Sequence, residues 1–148
     1  MNRLILAAVI GLTTALPAAA QFKNTEAAIT YRQAVMQVQS HHLGRIFAMA
    51  NGRMPFDAKV AAEDAALLDT IDKLPFVAFI DGSDKGETKA KPEIWKERAK
   101  FDAAALKMQE DVAKLNAAAK TGSLDAIRAA AGAVGQSCKA CHDDYQAK

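Results

Sequence analysis

Residues 123–148 read SLDAIRAAAGAVGQSCKACHDDYQAK, and one apolar seam runs through most of them. Leu124, Ile127, Ala131, Val134, Cys138, Cys141 and Tyr145 recur at steps of three and four, the spacing of one helix face. Ser123 is a favoured N-cap residue, and Asp125 puts negative charge in the first turn, where the helix dipole favours it. Gly122, just upstream, suits the C′ position of a preceding helix. Both cysteines therefore fall on the buried face of this last helix.

Working outward, the same period recurs three more times. A helix opening at Pro92, a favoured first-turn residue, carries Ile94, Arg98, Phe101, Ala105, Met108, Val112, Leu115 and Ala119 on one seam. Between Pro55 and Pro75 the seam is Val60, Asp64, Leu67, Ile71 and Leu74. The first helix aligns Ile29, Gln33, Met36, Ser40, Leu43, Phe47 and Ala50, and ends near Asn51-Gly52. Four amphipathic helices with mostly short joins predict an all-α, antiparallel four-helix bundle running up-down-up-down. Residues 75–91, PFVAFIDGSDKGETKAK, break the pattern and read as a crossover or flap.

The opening MNRLILAAVIGLTTALPAAA has a basic start at Arg3, an apolar stretch from Leu4 to Leu16 and small residues at Ala18, Ala19 and Ala20. This is the grammar of a cleaved export signal, residues 1–20, leaving one domain over residues 21–148 and a periplasmic location. The apolar run falls short of the ~20 residues a spanning helix needs. Arg3 is one of 19 basic side chains, so the mature chain would hold 18 against 17 acidic ones. A nucleic-acid binder shows a basic stripe, and a membrane-surface binder a strongly charged face; neither is visible here.

Cys138-Lys139-Ala140-Cys141-His142 admits several chemistries. A disulfide one helical turn across closes a very short loop and gains little from chain entropy. A thioredoxin-like redox pair needs a βαβ setting, and no strand pattern is present. Zinc needs about four ligands, and only these cysteines with His41, His42 or His142 are on offer. Haem c attachment remains: the thiols add across two haem vinyl groups and the adjacent imidazole lands beneath the iron. Covalently bound haem c near the C-terminus is the expectation. Nothing between Asp143 and Lys148 is placed to supply a second axial ligand, so any such ligand comes from the upstream helices. His41 and His42 read as structural, because nothing else completes a site around them. Met49, Met54 and Met108 read as gap-fillers of the apolar seam.

Together these segments resemble cytochrome c prime, the four-helix class II c-type cytochromes. The resemblance rests on Gln21-Phe22, Tyr31-Arg32-Gln33, Leu74-Pro75, Phe79, Pro92-Glu93-Ile94-Trp95 and Ser137 to His142. It implies one covalent haem on Cys138 and Cys141, with His142 as the sole protein ligand to iron. It implies that Arg32 and Gln33 lie beside the haem propionates, and that Met36 stands over the distal face. The competing reading of Arg32 is a solvated surface charge. The resemblance also implies a homodimer, and Ala28, Val35 and Met49 form a second apolar edge on the first helix that fits either a dimer or a wide core face. Gln146 stands four residues after the histidine, where many relatives carry a basic residue, and lacks that fixed charge.

The function expected is a five-coordinate, high-spin haem protein that transfers electrons to an unidentified redox partner and binds NO and CO. No distal His–Arg pair for peroxide cleavage is visible, so this is not an enzyme. The alternative is a low-spin electron carrier with Met36 and His142 both on iron, since a thioether is a competent haem ligand.

Overall fold

The computed structural model describes residues 21–148, and the expected export signal, residues 1–20, lies outside them. Helix α1, Thr25–Ala50, starts where the Asn24 side chain accepts the backbone N–H of Ala27 at 2.8 Å. Helix α2, Ala58–Ile71, is capped by Asp57, which accepts from the backbone of Lys59 and Val60. The one-turn α3, Glu93–Lys96, precedes α4, Arg98–Lys120, and α5 spans Leu124–Tyr145. Gly122 takes a φ of 69° between the last two, and Ser123 accepts from Ala126, so both ends of that turn form as the sequence predicts.

The four long helices pack as a ring in which each neighbour runs antiparallel. Gln39 of α1 reaches Ile71 at the end of α2, while His42 and Arg45 meet Asp64 a little earlier. Asn116 of α4 donates to Asp69 of α2, and Arg128 of α5 donates to the carbonyl of Ala50. The result is the expected up-down-up-down bundle, with helices alone as its regular elements among the described residues. No described helix is long and apolar enough to cross a membrane.

Three readings of the periodicity need correction. The third helix is not continuous: Glu97, at φ −118° and ψ 40°, breaks it into α3 and α4. The crossover holds both pieces, through Trp95 Nε1 to Ile80 O at 3.1 Å and Arg98 Nη1 to Phe79 O at 3.0 Å. Arg98 is therefore no seam residue. On α2 the buried stripe is Ala61, Asp64, Ala65 and Leu68, whereas Leu74 is 39% exposed. Alanines at the contact let α2 approach its neighbours closely, and a pattern read from large side chains rotates the face. On α1, Ala28 and Met49 are buried within the chain, so the second apolar edge is a wide core face. Met49 and Met108 do fill the core, but Met54 is exposed.

Candidate cofactor site

A cavity of about 320 Å³ opens where α1, the end of α2, α4, α5 and the crossover converge. That lies at the lower end of the roughly 300–1,000 Å³ typical of small-molecule and cofactor sites. Its walls are mainly apolar, with Met36 and Leu43 from α1, Phe76 and Phe79 from the crossover, and Phe101, Ala104 and Met108 from α4. Phe79 packs edge-on against Phe101 at 4.8 Å between ring centres, and Phe101 meets Tyr145 the same way at 5.3 Å. These aromatic contacts join the crossover and α4 to the end of α5.

Helix α5 brings Cys138, Cys141 and His142 to one wall of this cavity. The two thiols are unlinked and half-buried. Burial pushes Cys141 up to about 11, with Cys138 and Asp144 adding to the effect. Cys138 is raised too, first by burial and then by the Asp111 charge. Thiols held protonated in this way are poor nucleophiles, because attack needs the thiolate. No group of three or more His, Cys, Asp or Glu that could hold a metal ion occurs among the described residues. Two protonated thiols one turn apart, with an imidazole beside them on the wall of an apolar cavity, fit a covalently attached macrocycle.

Arg32 stands on the α1 wall and is 2% exposed, so the reading of it as a solvated surface charge fails. Its guanidinium donates to Ala78 O, Ser83 Oγ, Ser83 O and Thr88 Oγ1 at 2.7–3.1 Å. The same group lies 4.4 Å from the centre of the Phe79 ring. All of these partners are neutral. Burial lowers the guanidinium to about 10, which leaves it charged at neutral pH. Its charge is thus hydrogen-bonded but not neutralised. Gln33, exposed on the next residue, donates to Glu87 O at 2.8 Å and also lines the cavity.

Met36 is half-buried on the cavity wall and packs on the aromatic cluster. Gln146 lines the cavity as well, fixed by a bridge between its backbone and Ala90. Lys91 completes that junction, donating its ammonium to the carbonyls of Asp143 and Asp144 at 3.0 Å. His42 turns away to Asp64 at 2.6 Å, and His41 is exposed, which agrees with structural roles for both. Sequence reasoning missed Ser83, Thr88 and Asp72. The first two sit in an irregular segment with no period to read. Asp72 continues the true α2 stripe, four residues after Leu68, and the rotated seam concealed it.

The family model for Cytochrome C' matches residues 27–146. Cytochrome c' of Rubrivivax gelatinosus is 50% identical over 129 residues, covering 86% of this chain and 100% of the relative. Its crystal structure superposes with a TM-score of 0.83 over the same shares. A nitric oxide complex of a cytochrome c prime variant from Alcaligenes xylosoxidans, 41% identical, gives 0.81 over 86% of this chain and 99% of that one. Cytochrome c-554 of Cereibacter sphaeroides is 34% identical, covering 90% of each chain.

Proposed function

The chain belongs to the cytochrome c' family of haem c proteins, and from that premise we propose that it is an exported, periplasmic electron-transfer protein that binds NO and CO. One observation carries the assignment. Cys138, Cys141 and His142 line an apolar cavity whose α1 wall buries a guanidinium with no carboxylate partner among the described residues. Cys138 and Cys141 would hold the haem, and His142 would be the one protein ligand to its iron. Bound there, haem supplies an iron that exchanges one electron and takes a diatomic ligand.

The remaining roles belong to the chain itself. Arg32 offers an uncompensated positive charge to the propionates, with Gln33 beside it. Buried charge without an opposite partner is costly, so a bound carboxylate stabilises this arrangement. Met36, placed over the distal face by the resemblance, lines the cavity with the apolar side chains of Leu43 and Phe76, which exclude water from it. The Gln39 amide on this wall donates one of its two N–H bonds to Ile71 O at 3.2 Å. Distal polarity decides which gas binds, and a pocket of this kind favours NO and CO over O₂. The nitric oxide complex of the Alcaligenes relative supports the same reading. No catalytic turnover is assigned to the site. A homodimer is the proposed assembly, with Val38, 44% exposed on α1, as an available apolar contact; sedimentation showing only monomer at micromolar concentration would remove it.

The test is expression in a host competent for haem attachment. The periplasmic fraction should yield a chain starting at Gln21 with one haem, seen by mass and by haem stain after denaturing electrophoresis. Replacing Cys138 and Cys141 by Ala should release the pigment. The spectrum should be high spin, and Met36→Ala should tighten CO binding by enlarging the pocket. A colourless wild-type protein overturns the proposal. Sharp low-spin bands that become high spin in Met36→Ala would instead assign Met36 as the sixth ligand and the protein as a low-spin electron carrier.

A further inference from the structure

Asp72, the C-cap of α2, has no part in the roles assigned so far. It lies on the cavity wall and is 3% exposed, yet its Oδ1 meets no hydrogen-bond donor among the described residues. Orphaned polar atoms in folded proteins are rare and call for a reason. The position also disfavours negative charge in three ways. Burial strips water from the carboxylate. Asp69, one turn earlier, adds like charge and is held in place by Asn116 Nδ2 of α4 at 2.8 Å. The end of a helix carries the negative pole of its dipole, which repels an anion. The Asp72 carboxyl is accordingly raised above its ordinary range, by burial first and Asp69 second, with only Lys73 opposing.

The charges that share the cavity are few. Arg32 faces it from α1 and Lys89 from the crossover, and the titratable side chains of His142 and Tyr145 face it from α5. The two thiols carry no charge once bound as thioethers. Asp72 is the single carboxyl lining this cavity among the described residues.

We infer that Asp72 is the proton site linked to reduction of the bound haem. It takes one proton from solvent when a one-electron donor reduces the cofactor, and returns that proton when the electron leaves. The cause is electrostatic. Adding an electron removes one positive charge from a low-dielectric cavity, and an acid on its wall then holds its proton more tightly. The coupling is reciprocal, so ionising Asp72 stabilises the oxidised form. This inference rests on haem occupying the cavity and deepens the proposed function.

The test measures the reduction potential of the haem-loaded protein across the pH range in which it stays folded. Wild type should fall with rising pH, approaching about 59 mV for each tenfold drop in proton concentration over part of the range. Asp72→Asn, an uncharged near-isostere, should lose that segment, and Asp72→Ser should do the same if the first variant does not fold. Infrared difference spectra should show a carboxylic-acid carbonyl band gained on reduction in wild type and missing in the variant. Parallel potential curves in haem-loaded wild type and variant overturn the inference and leave the proposed function standing. A colourless wild-type protein overturns both.

Discussion

At one end of the bundle Ile46, Leu115 and Ile127 interlock with Ala61, Ala65, Ala119 and Ala131, and hardly any of this surface meets solvent. At the other end the helices stand apart around the cavity, with Phe79, Phe101 and Tyr145 packed edge to face between them and crossover residues on its wall. Each end also buries a charge, and the two are treated differently. Asp64 in the closed end is matched by opposite charge from Arg45, and by His42. Arg32 in the open end is held by carbonyls, hydroxyls and a ring, none of them anionic. The closed end thus satisfies its own electrostatics, whereas the open end keeps a positive field for a partner. Volume and shape specify the first. Directional bonds specify the second.

Cutting into the closed end should give the largest effect. Leu115 is 0% exposed, and Leu115→Ala should destabilise the protein by about 2–5 kcal/mol in chemical denaturation, the range of buried leucine truncations. A cost near zero would mean that this end is not close-packed.

The next break is Arg32→Lys, which keeps the charge but removes the planar fork. A lysine cannot serve Ala78, Ser83 and Thr88 together, so about 1–3 kcal/mol should be lost as buried acceptors go unpaired. Amide exchange should rise first across residues 78–88. If Lys were as good as Arg, the charge alone would be holding the crossover.

The smallest effect is a matter of pH. Burial acts to raise Asp64, but the hydrogen bonds from Arg45 and His42 outweigh it and hold the carboxyl below its ordinary 3.8. A depressed carboxyl contributes stability that is present above 3.8 and is lost as pH falls through the lower, folded value. Acid titration of stability should therefore show a loss below about pH 4 that Asp64→Asn flattens. An unchanged acid limb would show that the network is electrostatically neutral to folding.

The same contrast explains what could be read in advance. The helix period, the caps at Ser123 and Gly122, and the Cys-x-x-Cys-His turn are relations within one or two helical turns, and they were legible in the chain. So was the antiparallel order, because short joins leave consecutive helices little choice. The resemblance carried by the helix starts and the last turn also led to the family. The break at Glu97 was not legible, because both pieces keep an apolar face and the bend comes from the crossover gripping Trp95 and Arg98. Nor was the α2 face, where alanines rather than large side chains make the contact.

The sequence by itself determined four helices, their order and a haem-attachment turn, since each is written in spacings of three, four or seven residues. Only the tertiary structure decided that, among the described residues, Arg32 is buried without a counter-ion and Asp72 Oδ1 without a donor. Arg32 meets Ser83 across 51 positions and Thr88 across 56. No local period spans such a gap, so those contacts exist only once the bundle has closed.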